Sequence, residues 1–520
     1  MSEPLYFVGP WDLDRRLPCI PRDPRDGRVL FVESRAKGRA LPWHRQKLVL
    51  VLSAMRHFAA ELEQSGYRVE IRNARSYAEG IAEAVRAHRS TRVVAMRPRE
   101  MGIERSLVSA DLGAPLELHD DGGPRGHFLL GRDDVLRWAR RRESLRMDAF
   151  YAELRRRTGW LMDDRGKPLG GKMSFDVENR AFPDRDRPPP VPSHPPDAIT
   201  RDVIERVREW PGGWGSVDGF DWPVDRAGAL RELDDFFASR AASFGPYEDA
   251  MLRGERWMWH ARLSSSLNLG LLSPREVCER IVAEHAEGRM PIASAEGLLR
   301  QIAGWREYMR ALYWLRMPGL RDANLLEAKR ALPIFYWEPE RTEMRCMREC
   351  VTTVRDTGYV HHVQRLMVLG NFALLAGVRP IEVSHWFWAA YVDAYEWVQL
   401  PNVHAMALFA DDVATTKPYA ASGAYVDRMS DYCGECRYDV KARTGADACP
   451  FNPLFWTFLE RHRARFGKHP RIGALYRTWD RWSEDERDAI RETAARIVRE
   501  LEPAPDAPPE YGVAFRDDDG

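Results

Sequence analysis

No stretch of this sequence is apolar for long enough to cross a bilayer. The best candidate, 366–378, is broken by glycines and by Asn371 and falls short of the roughly 18 residues a span needs. The first seven residues show no basic segment leading into an apolar run, so no secretory leader is expected. A cytoplasmic protein with no membrane partner follows as the expectation. Cysteine is scarce and odd in number, seven in 520 residues. Without an export signal, that argues against a disulfide framework and for thiols that hold a metal or cluster. Net charge is missing too, since 78 basic and 78 acidic residues cancel. Total charge therefore points neither toward nucleic acid nor away from it, and any basic face must be local. A G-x-G-x-x-G turn is absent, which removes support for a nicotinamide dinucleotide fold. No internal repeat is present.

What the chain does have is size, a core and tryptophan. At roughly 100–200 residues per domain, its length suggests two to four domains. A content of 44% hydrophobic and 30% charged residues places it among globular proteins. Eighteen tryptophans are many; most tryptophans are core, but an excess also suits stacking on flat ligands or electron hopping.

The first 132 residues alternate strand and helix patterns. Val29-Leu30-Phe31-Val32 reads as a buried parallel strand, and Gln46 to Gln64 carries apolar residues at helical spacing. Tyr67 to Ile71, Ser76 to His88 and Arg92 to Met96 continue as strand, helix and strand. This order predicts an open parallel sheet with helices on its faces. Asp133 to Gly159 reads as an arginine-rich helical stretch with a solvated face. The proline cluster between Arg185 and Pro196 reads as extended chain, so 133–225 is expected to link two domains. From 226 to 502 strand signals vanish and helical periodicity dominates, with Ser273-Pro274 as a typical helix start. The proline-rich, acidic end, 503–520, is expected to be a disordered tail.

The cysteines hold the sharpest local signal. Cys433-Gly-Glu-Cys436 is followed twelve residues later by Cys449-Pro450, and a fourth thiolate must come from Cys346 or Cys350. Four thiolates suit either tetrahedral zinc or a [4Fe–4S] cluster, and spacing alone does not separate the two.

The helical region carries a series of motifs in fixed order. They are Phe244-Gly-Pro-Tyr247, Arg262-Leu263-Ser264 through Asn268, Trp305-Arg306-Glu307, His361-His362-Val-Gln-Arg365, Glu396-Trp397 through Asn402, and Lys417-Pro-Tyr419 through Tyr425. Together they resemble the iron–sulfur bacterial cryptochrome and photolyase family, the prokaryotic (6-4) photolyase type, from Leu5 to about Arg465.

The resemblance implies a photolyase-like α/β domain that binds an antenna, followed by an all-helical domain that binds FAD and the cluster. It implies cluster ligation by Cys346, Cys433, Cys436 and Cys449, with Cys350 left out. Tyr247, Arg262, Leu263, Ser264 and Asn268 would contact FAD phosphates and nearby groups. Trp305, Arg306, Asp393, Gln399 and Asn402 would line the flavin. Trp386 and Trp337 would relay electrons to it. His362 would donate a proton to the lesion, with His361 beside it and Tyr419 and Tyr425 lining the lesion pocket. Glu33, His44 and Lys47 would line a site for a 6,7-dimethyl-8-ribityllumazine antenna. The partner would be UV-damaged DNA, and a monomer is expected.

The sequence departs from the family pattern in three places. Gly9-Pro-Trp11-Asp12-Leu13 replaces a Gly-Asp-Gln-Leu loop, Ser265-Ser266 replaces a Pro-Tyr pair, and Gln399 stands where an acidic residue is expected. The function implied is light-driven DNA repair by a carbon–carbon lyase. A photoreceptor with the same cofactors and a zinc-holding nucleic-acid binder are the alternatives.

Overall fold

The structure, a computed structural model, describes residues 3–505. Five short strands form one parallel sheet: β1 Leu5–Phe7, β2 Arg28–Ser34, β3 Arg68–Ala74, β4 Val93–Met96 and β5 Leu116–His119. Their order is β3-β2-β1-β4-β5. Leu5 lies opposite both Arg28 and Val93, so β1 is central. Val29, Leu30, Phe31 and Val93 are fully buried because helices cover both faces of the middle strands. The edge strand β3 is more open, with Arg68 and Ile71 exposed and only Ala74 buried. The chain winds one way from β1 to β3 and the other way from β4 to β5. The β1–β4 boundary is thus the topological switch point, and a crevice opens beyond the strand ends there.

Capping explains the helix starts. Ser76 accepts from the Glu79 N–H and opens Tyr77–His88. Ser273 and Glu276 form a reciprocal capping box around Pro274–Ala286, and Ser483 and Glu486 do the same for Glu484–Glu500. Beyond His119 the described residues contain helices and isolated bridges but no further strand. None of these helices is long and apolar enough to cross a membrane.

Three details differ from the sequence expectations. The arginine-rich stretch is two helices, Arg132–Arg140 and Met147–Thr158, and it is not merely a solvated face. Trp138, Phe150, Tyr151 and Leu154 are buried, and the fully buried Arg155 donates to the carbonyls of Trp160, Leu161 and Met173. The start of the expected C-terminal tail is paired with the helical part, as Ala504 donates to the Leu332 carbonyl at 2.7 Å; residues 506–520 lie outside the described residues. Three helical runs contain π-type turns, at Arg300–Arg306, Gln364–Gly370 and Leu400–Ala407. Such turns cluster at functional sites, and periodicity gives no sign of them.

His44 ties the first region to the helices. It caps Arg45–Gln64, its Nδ1 accepting from the Gln46 N–H, and its Nε2 donates to the Arg355 carbonyl at 2.9 Å. Its ring meets Trp214 edge-on at 5.6 Å. Burial pushes its pKa down to about 4. In the unfolded chain an imidazole titrates near ~6.5, so the unfolded state takes up a proton that the folded state refuses. The contribution is present above about pH 6.5 and is lost as pH falls toward 4. The melting temperature should therefore drop over that window, and His44→Gln should show a smaller drop when melting is followed against pH.

Candidate active site

Three imidazoles meet at one rim. The rings of His260 and His361 stack with centroids 4.6 Å apart and 17° between planes, and His362 meets His260 edge-on at 5.5 Å. Each offers a ring nitrogen within 4.8 Å of the others. His361 precedes the helix and His362 is its first residue. His260 and His361 are buried, and neither ring nitrogen of His361 has a hydrogen-bond partner. Burial holds both well below the ordinary imidazole range, so they are neutral. His362 is different. Its side chain is 44% exposed and its Nε2 lies 3.8 Å from Asp249 Oδ1. The Asp249 carboxylate also acts on Tyr425, which brings that phenol to the rim, while Asp176 acts on both Tyr425 and Tyr419. Burial raises both phenols, which keeps them protonated as donors.

Below the rim lies a buried carboxylate. Asp393 accepts from Ser264 Oγ at 2.7 Å and from both Arg365 Nη atoms at 3.0 and 3.1 Å, while its carbonyl accepts from Asn268 Nδ2 at 2.8 Å. The hydroxyls of Ser265 and Ser266 are buried beside this group with no protein partner. Leu263 is buried just before Ser264. Gln399 is buried, and Asn402 donates to the Val398 carbonyl at 2.9 Å.

Other expected residues make contacts of their own. Arg262, at φ +53°, lies 4.2 Å from the Trp257 ring and donates to the Asp221 carbonyl. Tyr247 packs on Trp259 at 4.4 Å and donates to Asp186. Arg306 is packed over Phe128 at 4.4 Å and donates to the His127 carbonyl, leaving Nε and Nη2 unpaired. Its neighbour Trp305 meets Tyr308 at 6.1 Å. Trp386 is fully buried and lies 6.4 Å from Trp337.

Cys346, Cys433, Cys436 and Cys449 line one small pocket with Met344, Tyr438 and Phe451. A Cβ on Gly423 would stand 2.8 Å from Cys449 Sγ, so only glycine lets the two segments approach. Burial pushes the Cys433 and Cys449 thiols up to about 12; a bound cation would be needed to hold them as thiolates. Cys350 is turned away, its thiol against Tyr432 and Gln364.

A second cavity opens at the switch-point crevice. Pro10, Trp11, Val32, Glu33, Asn73 and Glu100 bring the strand ends to it, and Lys47, Trp43, Tyr77, Trp210, Trp388 and Tyr395 complete its wall. Its volume is about 110 Å³, room for roughly seven to eleven waters at ~10–15 Å³ each. Lys47 is buried and donates to the carbonyls of Trp388 and Ala394, and Glu33 pairs with Arg56 and Arg206. The structure corrects the expectation for His44, which does not line this cavity because both of its nitrogens are engaged elsewhere.

The chain is 41% identical over 495 residues to a (6-4) photolyase of Agrobacterium fabrum (strain C58), covering 92% of this chain and 96% of that protein. It belongs to the (6-4) photolyase family. The family described as deoxyribodipyrimidine photo-lyase-related protein matches residues 7–222 of this chain. An uncharacterized mimivirus protein is 30% identical over 137 residues, 26% of this chain and all of that one. The fold is similar to the crystal structure of a bacterial class III photolyase from Agrobacterium tumefaciens, with a TM-score of 0.55 and 14% identity over 96% of this chain and 98% of that one.

Against the expected photolyase site, the structure brings Ser264, Asn268 and Asp393 into one group and His361, His362 and Tyr425 onto one rim. It places Arg306 with His127 and Tyr247 with Asp186. Sequence reasoning missed His260, Asp249 and Trp214. Trp214 lies 5.4 Å from Trp337 and 6.4 Å from Trp386, making three rings where two were expected. The run Trp257-Met-Trp259-His260 was the available signal for His260. Removing Asp393 would leave Arg365 buried without its counter-charge. Asp393→Ala should therefore cost about 3–5 kcal/mol, read as a large fall in melting temperature or loss of soluble protein.

Proposed function

We propose that this chain is a light-driven (6-4) photolyase of UV-damaged DNA that uses FAD, a [4Fe–4S] cluster and a ribolumazine antenna. The observation that carries the reading is the half-exposed His362 beside Asp249, with Tyr425 on the same rim, in a chain 41% identical to a (6-4) photolyase. Residues 1–132 would form the antenna domain and 226–502 the flavin and cluster domain.

The residues present fit FAD. Ser265 and Ser266 offer buried, unpartnered hydroxyls beside Ser264, Asn268 and Asp393. Buried polar atoms are rarely left without a partner, and the polar groups of a bound dinucleotide would satisfy them. Reduced FAD would supply the electron on illumination. The remaining work belongs to the chain. A base taken out of the duplex would lie against Tyr419 and Tyr425, whose phenols donate hydrogen bonds. His362 would carry a proton on Nε2, steadied by Asp249, and give it to the lesion as the electron arrives. It would take a proton back when the electron returns, so the reaction is redox-neutral overall. Neutral, buried His361 and His260 would not compete for that proton.

The cysteine pocket would hold the cluster, since Cys346, Cys433, Cys436 and Cys449 line it together and Cys350 does not. The crevice fits a flat antenna, since six aromatic side chains and the apolar face of Arg45–Gln64 enclose it. Trp386, Trp337 and Trp214 would carry electrons between flavin and surface. A photoreceptor would use the same three rings, and a repair assay separates the two readings.

The test is illumination of reduced protein with a defined (6-4) oligonucleotide. His362→Ala should abolish repair while flavin content and photoreduction stay intact. Trp386→Phe should lose photoreduction but repair when the flavin is reduced chemically. Wild-type protein that binds the lesion in reduced form and never repairs it under light would overturn the proposal. For the cluster, Cys436→Ala should strip iron while Cys350→Ala should keep it, by metal analysis of anaerobically prepared protein. Stoichiometric zinc without iron would be the contrary result.

A further inference from the structure

Gln364 and Tyr432 are buried polar side chains that the repair reading leaves unused. Gln364 Oε1 accepts from the His361 N–H at 3.1 Å. That bond closes the first turn of the helix that His362 opens, as the third residue of a capping box does. Gln364 Nε2 donates to the Tyr432 hydroxyl at 2.9 Å. Tyr432 directly precedes Cys433, and the Cys350 thiol packs against both Tyr432 and Gln364. The same loop also holds the opposite wall of the rim. The Met251 N–H donates to the Met429 carbonyl at 2.8 Å, and the Arg253 N–H donates to Asp431 Oδ1 at 2.8 Å. These bonds lie two and four residues past Asp249.

His362 and Asp249 therefore hang from one segment, 429–433, by separate bonds. We infer that Gln364, held in place by Tyr432, is a positioning residue for the His361–His362 pair, and that the loop leading into Cys433 sets the spacing between His362 and Asp249. The inference rests on the repair reading of the same rim. The physical reason is how the chain enters the helix. His361 has no partner on either ring nitrogen; its carbonyl accepts the Arg365 N–H at 3.1 Å and the Val360 carbonyl accepts from Arg365 Nε at 2.7 Å, while the Gln364 side chain takes the His361 N–H, the bond that ties this entry to Tyr432. Without the Tyr432 hydroxyl, the Gln364 amide keeps a buried donor unpaired and its side chain is free to turn.

The experiment uses the full-length, cofactor-loaded protein and three variants: Tyr432→Phe, Gln364→Leu and the double variant. Four quantities are read: repair of a (6-4) oligonucleotide against pH, dark affinity for that oligonucleotide, flavin photoreduction, and labelling of His361 and His362 by diethyl pyrocarbonate, located by mass spectrometry. Repair should fall about tenfold in each single variant with a displaced pH profile, since misplacement of roughly 1 Å can cost up to ~100-fold. The double variant should be no worse than Gln364→Leu, because both changes break one chain of bonds. Dark affinity and photoreduction should hold, and His361, protected in the wild type, should become reactive. Wild-type repair and labelling in both single variants would overturn the inference, as would losses that multiply in the double variant. If Gln364→Leu does not fold, Tyr432→Phe, which loses one oxygen, decides alone. If the wild-type protein repairs nothing, the photolyase reading falls, and the labelling pattern still decides the positioning role.

Discussion

A carboxylate as deeply buried as that of Asp393 is tolerable only when its charge is matched and its lone pairs are filled. Arg365 supplies the charge through two hydrogen bonds, Ser264 fills a further position, and Asn268 takes the backbone carbonyl. Asp393 itself follows Pro380–Ala390, and its partners come from two other stretches of chain, the turn after Arg262 and the helix after His362. Satisfying one carboxylate thus locks those stretches to one another. Lys47 extends the lock into the first region, since its ammonium reaches the carbonyls of Trp388 and Ala394, on either side of Asp393. The wall of the switch-point cavity and the floor of the active rim are in this way parts of one hydrogen-bonded unit.

Electrostatics divides the rim by solvent access. Three imidazoles share it, but only one is open to water and beside a carboxylate. The other two are kept neutral by burial, so no second imidazolium forms against His362. The π-type turns contribute in the same region. Gln364–Gly370 carries Arg365 to Asp393, and Arg300–Arg306 carries Trp305 and Arg306. An extra residue in one turn rotates the side chains that follow it, and the regular period of an α-helix would aim them elsewhere.

Much of the local structure was readable in the chain. Apolar runs gave β2 and β4, serine caps gave the helix starts at Tyr77 and Pro274, and the proline cluster gave extended chain. The ordered series of motifs gave the family. Periodicity failed where burial depends on partners far away in sequence. The arginine-rich stretch looked solvated because nothing local reveals that Trp160, Leu161 and Met173 take up Arg155. His361 and His362 are adjacent in the sequence, yet His361 lies outside the helix that His362 opens and meets its neighbour's site through His260, a residue some hundred positions earlier.

The sequence by itself determined the parallel sheet, the helical remainder, the family, and which cysteines could act together. Each of these follows from residue type and spacing along the chain, which are local or additive properties. Tertiary structure alone decided that His44 clamps the helices instead of lining the cavity, that Trp214 joins Trp386 and Trp337, and that Cys350 faces Tyr432 rather than the cysteine pocket. Each of those outcomes turns on which way one side chain points, and direction is set by long-range packing and by the need to pair every buried polar group.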